Sequence, residues 1–230
     1  MGATSISTRY SEKFDIPKGL TQIKKGNVPI GSIKTTDKKI SVEHTTFALY
    51  IGSYSKEIID DIVVFDADCD DYAEYKKYTK NFEFNIFFSQ DKHLLLLDTT
   101  TPIAKKFLKE LKDQDGVKIN YQSIHFAFDK ISNQMPQTKG IRFSSNDEGV
   151  NNKSFSGNEV DTNIEASEAL ESDSASQLIG ILDVLNKSRT IMLTQSGTIL
   201  SFTSLIDLQD RDFPMVELAL ALLRKLNIIN

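Results

Sequence analysis

Apolar and polar positions alternate along much of the first two thirds of the chain. "TTFALYIG" puts Phe47, Leu49 and Ile51 on one side at a spacing of two, which predicts a half-buried strand. "IIDDIVVFDA" predicts a second strand. In "NFEFNIFF", Phe82, Phe84, Ile86 and Phe88 share a side, and after the polar "SQDK" the run "HLLLLD" is apolar on both sides. This pair predicts a hairpin with a four-residue loop whose second strand lies inside a sheet. "VKI" and "YQSIHFAFDKI" predict further strand, with Ile124, Phe126 and Phe128 on one face.

Elsewhere the spacing lengthens towards that of a helix. In "TTTPIAKKFLKELKDQDG", Thr101 can cap, Pro102 suits the first turn, and Ile103, Phe107, Leu108 and Leu111 form one stripe. Lys105, Lys106, Lys109 and Lys112 lie opposite, and Gly116 can end the helix, predicted over 101–113. "ASQLIGILDVLN" predicts an amphipathic helix capped by Ser174, and "RTIMLTQSGTILSFTSL" a hairpin turning at Ser196-Gly197. Asp212 then caps "FPMVELALALLRKLN", with Pro214 and Glu217 in its first turn and Arg224 and Lys225 in its last, charges that suit the helix dipole. Its centre is apolar almost all round, so Met215, Leu218, Leu220, Leu222 and Leu223 belong to the spine of the fold or to a subunit interface. "DDYAEYKKYTK" predicts one more helix, opened by Asp68 to Glu74, with Tyr72, Tyr75 and Tyr78 along one side.

Two stretches lack this regularity. Residues 1–40 read as a polar, locally basic leader in which Arg9, Lys13, Lys18, Lys24, Lys25, Lys34, Lys38 and Lys39 outnumber Glu12, Asp15 and Asp37. Residues 144–174 carry eight acids and one lysine, Lys153, and read as an acidic flexible loop or linker. The resulting expectation is an α+β fold. A mostly antiparallel sheet over 41–143 is backed by one helix, and a helix–β-hairpin–helix unit follows over 175–230, within the same domain or beside it.

Composition narrows the class. The chain has 230 residues, 40% hydrophobic and 26% charged, enough to bury a core without cross-links. The single cysteine, Cys69, excludes an internal disulfide, and this points to a reducing, cytoplasmic setting. No secretory core opens the sequence, and no run of eighteen apolar residues spans a membrane. A net charge of −5 disfavours a protein coated in nucleic acid while leaving room for a local basic patch.

The chemistry concentrates in "IVVFDADCDD", where an apolar strand runs into four aspartates. Carboxylates two apart at a strand end can converge on a hard cation such as Mg²⁺, and a phosphorylated substrate can bridge to it. Asp66 and Asp68, with Asp70 as a further ligand, have this spacing. The stretch resembles the nucleophile motif of haloacid-dehalogenase phosphatases and the metal-binding Asp-x-Asp of nucleotide-sugar glycosyltransferases. The first resemblance implies a metal-dependent phosphoryl hydrolase or transferase, yet Asp70 stands where that motif has Thr or Val. The second implies a nucleotide-binding βαβ region upstream, where this chain has a polar leader and one strand. The competing expectation is a solvated turn.

The tyrosine stripe could stack bases or simply cover a core. His44, His93 and His125 fall on three predicted strands with no ligand-like spacing. Gly-x-Ser-x-Gly, Walker, dinucleotide-binding and His-Glu-x-x-His patterns are absent. Cys69 sits among carboxylates, which disfavour a reactive thiolate.

Three functional expectations follow. The first is a non-catalytic binding or assembly protein, acting inside a cell as a subunit of a homo- or hetero-oligomer and holding no cofactor. The second is the divalent-metal enzyme using Asp66 and Asp68. The third is a nucleic-acid binder using Lys24, Lys25, Lys38 and Lys39.

Overall fold

The computed structural model describes residues 4–230, and strands dominate it. The order is β1 (Thr4–Asp15), β2 (Leu20–Lys25), β3 (Val28–Val42), β4 (Thr45–Asp66), β5 (Asp71–Ser89), β6 (Leu94–Leu97), α1 (Thr101–Lys112), β7 (Lys118–Ser123), α2 (Phe128–Ser132), β8 (Gln137–Ser144), β9 (Asn152–Ser156), α3 (Ile164–Glu171), β10 (Ala175–Val184), β11 (Lys187–Thr194), β12 (Thr198–Ser201) and α4 (Pro214–Lys225). Strand accounts for 52% of the chain and helix for 19%, so the fold is mainly β. This overturns the α+β expectation of a sheet backed by one helix with a helix–hairpin–helix appended.

One antiparallel sheet takes in all these strands, in the order β2-β3-β4-β5-β6-β1-β12-β11-β10-β8-β9, with β7 pairing β1 off this path. Thr4 to Ser7 of β1 pair with β12, Ser7 to Tyr10 with β6, and the remainder of the strand with β7. The first segment of the chain therefore joins the two halves of the sheet. The expectation of a polar leader fails here, since described residues 4–40 form three strands. Ser7, Thr8, Arg9 and Ser11 are buried in β1 beside Ile6 and Phe14. Arg9 lies inside because Nη1 donates to the carbonyls of Thr8 and Ser196, each at 2.7 Å.

Side-chain alternation builds two cores. On β6, Leu94 and Leu96 belong to one cluster, Leu95 and Leu97 to the other, so this strand is covered on both faces as expected. The first cluster packs α3 and α4 against the central and C-terminal strands. The second packs the Ile103, Phe107, Leu108 and Leu111 stripe of α1 against β2 to β6. Met215, Leu218, Leu220, Leu222 and Leu223 lie in the first cluster and are almost wholly inaccessible. Helix α4 is thus the spine of the fold. Arg224 in its last turn donates to the Glu43 carbonyl and, at 2.9 Å, to Thr45 Oγ1.

Other local expectations change as well. The helix expected over "DDYAEYKKYTK", residues 70–80, is instead the start of β5, and the helix expected from Ala175 is β10. The acidic 144–174 stretch holds β9 and α3, with Asn163 capping α3 by accepting from the Ala166 amide at 3.3 Å. Among the described residues no helix is long and apolar enough to cross a membrane.

Candidate functional site

The β4–β5 hairpin is far longer than the sheet that holds it. Pairing with β3 ends at Tyr54, and pairing with β6 begins at Ile86. Among the described residues, 55–66 and 71–81 pair only with each other, as a two-stranded arm about 35 Å long at roughly 3.3 Å per residue. β-branched and aromatic side chains favour this extended form over the expected helix, because each meets a cross-strand partner: Ile58 opposite Tyr78, Ile62 opposite Tyr75, Phe65 opposite Tyr72. The Phe65 and Tyr72 rings lie 5.3 Å apart. Lys77 Nζ stands 3.0 Å from Glu57 Oε2, and Ser55 Oγ donates to Asn81 Oδ1 at 2.8 Å. A register skip between Ile59 and Ile62 places Asp60 and Asp61 in a bulge, which increases the ribbon's twist.

Six aspartates, at 60, 61, 66, 68, 70 and 71, occupy the outer part of this arm with no lysine or arginine between them. Asp66 Oδ1 accepts from the Asp68 amide at 3.0 Å, and Asp70 turns the chain at φ 54°. All the residues from Asp66 to Asp71 are exposed, and among the described residues none of the six carboxylates makes an ion pair. The arm is nevertheless apolar along its length. Ile59 is 85% exposed, Val63 63%, Phe65 49%, Tyr72 67% and Tyr75 50%. These residues lie on both faces, because in a strand Tyr72 and Tyr78 share one face and Tyr75 takes the other. The single-sided tyrosine stripe therefore does not form.

A second feature lies between α1 and the sheet. It is a groove of about 720 Å³. Its floor includes Met192, Leu200, Thr194 and Thr198 from β11 and β12, and one wall carries Lys105, Lys106 and Lys109. α1 covers β2 to β6 and stops short of this part of the sheet, leaving the half-buried Met192 and Leu200 as an apolar floor. Thr101 reaches across and hydrogen-bonds Thr198 through their hydroxyls. All three lysines are exposed, and among the described residues none pairs with a carboxylate. The amphipathic pattern of α1 carries this lysine face, and the floor strands β11 and β12 match the expected hairpin; their place beside α1 comes from long-range pairing with β1, which no local pattern shows.

The expected metal site is placed on the arm. Asp66, Asp68 and Asp70 share an exposed turn at its end. Among the described residues no three His, Cys, Asp or Glu side chains form a group that could hold a metal ion. The mainly-β sheet also departs from the folds that the two Asp-x-Asp resemblances imply. His44 and His93 sit in turns at φ 61° and 49°, and His125 follows β7. Lys24 and Lys25 end β2 while Lys38 and Lys39 lie at an irregularity of β3, so about 30 Å of extended strand separates the two pairs. They form no common patch. Burial pushes the Asp98 carboxyl above its ordinary range, and it shares a 260 Å³ cavity with Asp212.

No protein-family model matches this chain, and a search of the curated proteins finds no relative.

Proposed function

We propose that the protein is a non-catalytic binding or assembly protein that engages a protein partner through the β4–β5 arm. The observation that carries this reading is the exposure of Ile59, Val63, Phe65, Tyr72 and Tyr75 on an arm whose strands, among the described residues, pair only with each other. Apolar side chains held in water on a long ribbon cost free energy that burial against a partner recovers, at roughly 25 cal/mol per Å². The acidic end selects for a basic surface and steers the encounter. The partner is therefore expected to combine positive charge with an apolar floor.

A photo-activatable residue at Val63 tests this in cells, with the same residue at Ile164 as control. Ile164 is an exposed apolar residue on α3. The expected result is a discrete protein adduct from the arm and none from the control. Equal or absent adducts at both positions would remove the reading.

A further inference from the structure

The groove beside α1 has the features that the arm requires of a partner. Its wall presents Lys105, Lys106 and Lys109, and its floor presents Met192 and Leu200. The arm presents six unpaired aspartates and flanking aromatic side chains. Among the described residues, no ion pair or hydrogen bond joins the arm to α1 within one chain. Both surfaces are thus left with uncompensated charge of opposite sign next to exposed apolar area.

We infer that the arm of one copy docks in the lysine-walled groove of a second copy. This rests on the reading of the arm as a binding element and names its partner. The turn from Ala67 to Asp70 enters beside α1, the aspartates meet the lysines, and Phe65 and Tyr72 cover the apolar floor. Because arm and groove are different patches, the contact generates a reciprocal dimer or a head-to-tail ring. The charges set register and encounter rate, and the aromatic side chains supply most of the affinity.

Charge exchange on the purified full chain tests this by sedimentation velocity. The wild type is expected to show a concentration-dependent increase in sedimentation coefficient. K105E/K106E/K109E and, separately, D61K/D68K/D71K should each weaken association at least ~10-fold, about 1.4 kcal/mol. A mixture of the two variants should associate again, since each supplies the surface that the other lacks. All six positions are exposed, so both variants should melt like the wild type, and a melting curve checks this. A wild type that stays monomeric, or a mixture that stays monomeric, overturns the inference. An oligonucleotide that binds monomeric wild type and is lost in the lysine variant would assign the groove to nucleic acid and overturns it too. If the inference fails in any of these ways while Val63 still gives an adduct in cells, arm binding stands with another protein as partner. If the arm is silent as well, both readings fall.

Discussion

Arg189 is the largest side chain in the interior, fully buried on β11. Its Nη1 donates to Asp207 Oδ1 at 3.3 Å, its Nη2 to Oδ2, and its Nε to the Val184 carbonyl at 3.3 Å. Asp207 is partly exposed and also meets Lys187 Nζ at 3.2 Å. The hydrogen bond from Arg189 is the main cause that lowers its pKa to about 2. The folded chain therefore keeps this carboxylate charged at a pH where the unfolded chain, near about 3.9, has protonated it. Its stabilisation is fully present above about pH 5 and is lost as pH falls towards 2. Asp207→Asn strands a buried guanidinium with a weaker partner. The expected loss at pH 7 is about 1–2 kcal/mol, between an exposed and a fully buried pair, because Arg189 is buried while Asp207 reaches solvent. Urea unfolding at pH 7 and pH 3 checks this, and the gap between the proteins should narrow at the lower pH. An equal gap at both would show that packing, and not charge, is lost.

A long ribbon whose strands, among the described residues, pair only with each other should be removable without harm to the sheet. Lys56 and Lys80 are direct cross-strand partners near its base. Replacing residues 57–79 by Asn-Gly closes the hairpin with a tight turn of the favoured hand. Unfolding free energy should change by less than about 1 kcal/mol, because the excised strands contribute mainly their own pairing. Thermal and urea unfolding of the shortened protein measure it. A large loss would mean that the arm supports the core and is not a free binding element. Legibility in the sequence divides along the same line, between elements with one clear environment and those with mixed surroundings. The spans of α1 and α4, the β5–β6 turn and the turn at Ser196-Gly197 are readable, since each combines clean periodicity with Pro, Gly or polar punctuation, whereas the expected caps Thr101 and Asp212 give way to Thr100 and Phe213. In β10, Leu178, Ile179, Ile181 and Leu182 fall at helical spacing while serving a strand with apolar residues on both faces. The arm misled in the opposite way. Its aspartates suggested a helix start, and nothing local reveals that residues 66 and 71 face each other across a turn.

The least legible feature is also the one on which the whole molecule depends. β1 reads as solvated from its Ser, Thr, Arg, Glu and Lys content, yet it lies between β6 and β12. Its polar side chains are used internally. Thr8 Oγ1 donates to the Gly197 carbonyl at 2.9 Å, and Ser11 Oγ to the Asn120 carbonyl at 2.7 Å. Gly197 sits at φ 77°, where an added Cβ would stand 2.5 Å from the Thr8 carbonyl oxygen, so the strand and the β11–β12 turn fit only because that residue is glycine. Thr4 pairs with Ser201, so the centre of the sheet closes across nearly the whole length of the chain. Such long-range closure is expected to slow folding and to couple the two halves. Deleting residues 1–15 would leave β6 and β12 with unpaired edges and would open both cores, since Ile6 belongs to one and Phe14 to the other. The expected outcome is loss of a single cooperative thermal transition, with exposed apolar surface detectable by dye binding. Circular dichroism melts of the full and shortened chains test it. A shortened chain that still melts cooperatively near the wild-type temperature would mean that the two halves are independent and that β1 merely lies between them. The same geometry changes how a truncation must be read. Any binding activity lost on removing the first forty residues would report collapse of the sheet and would say nothing about Lys24, Lys25, Lys38 or Lys39, whose contribution is measurable only by point substitution in the intact chain.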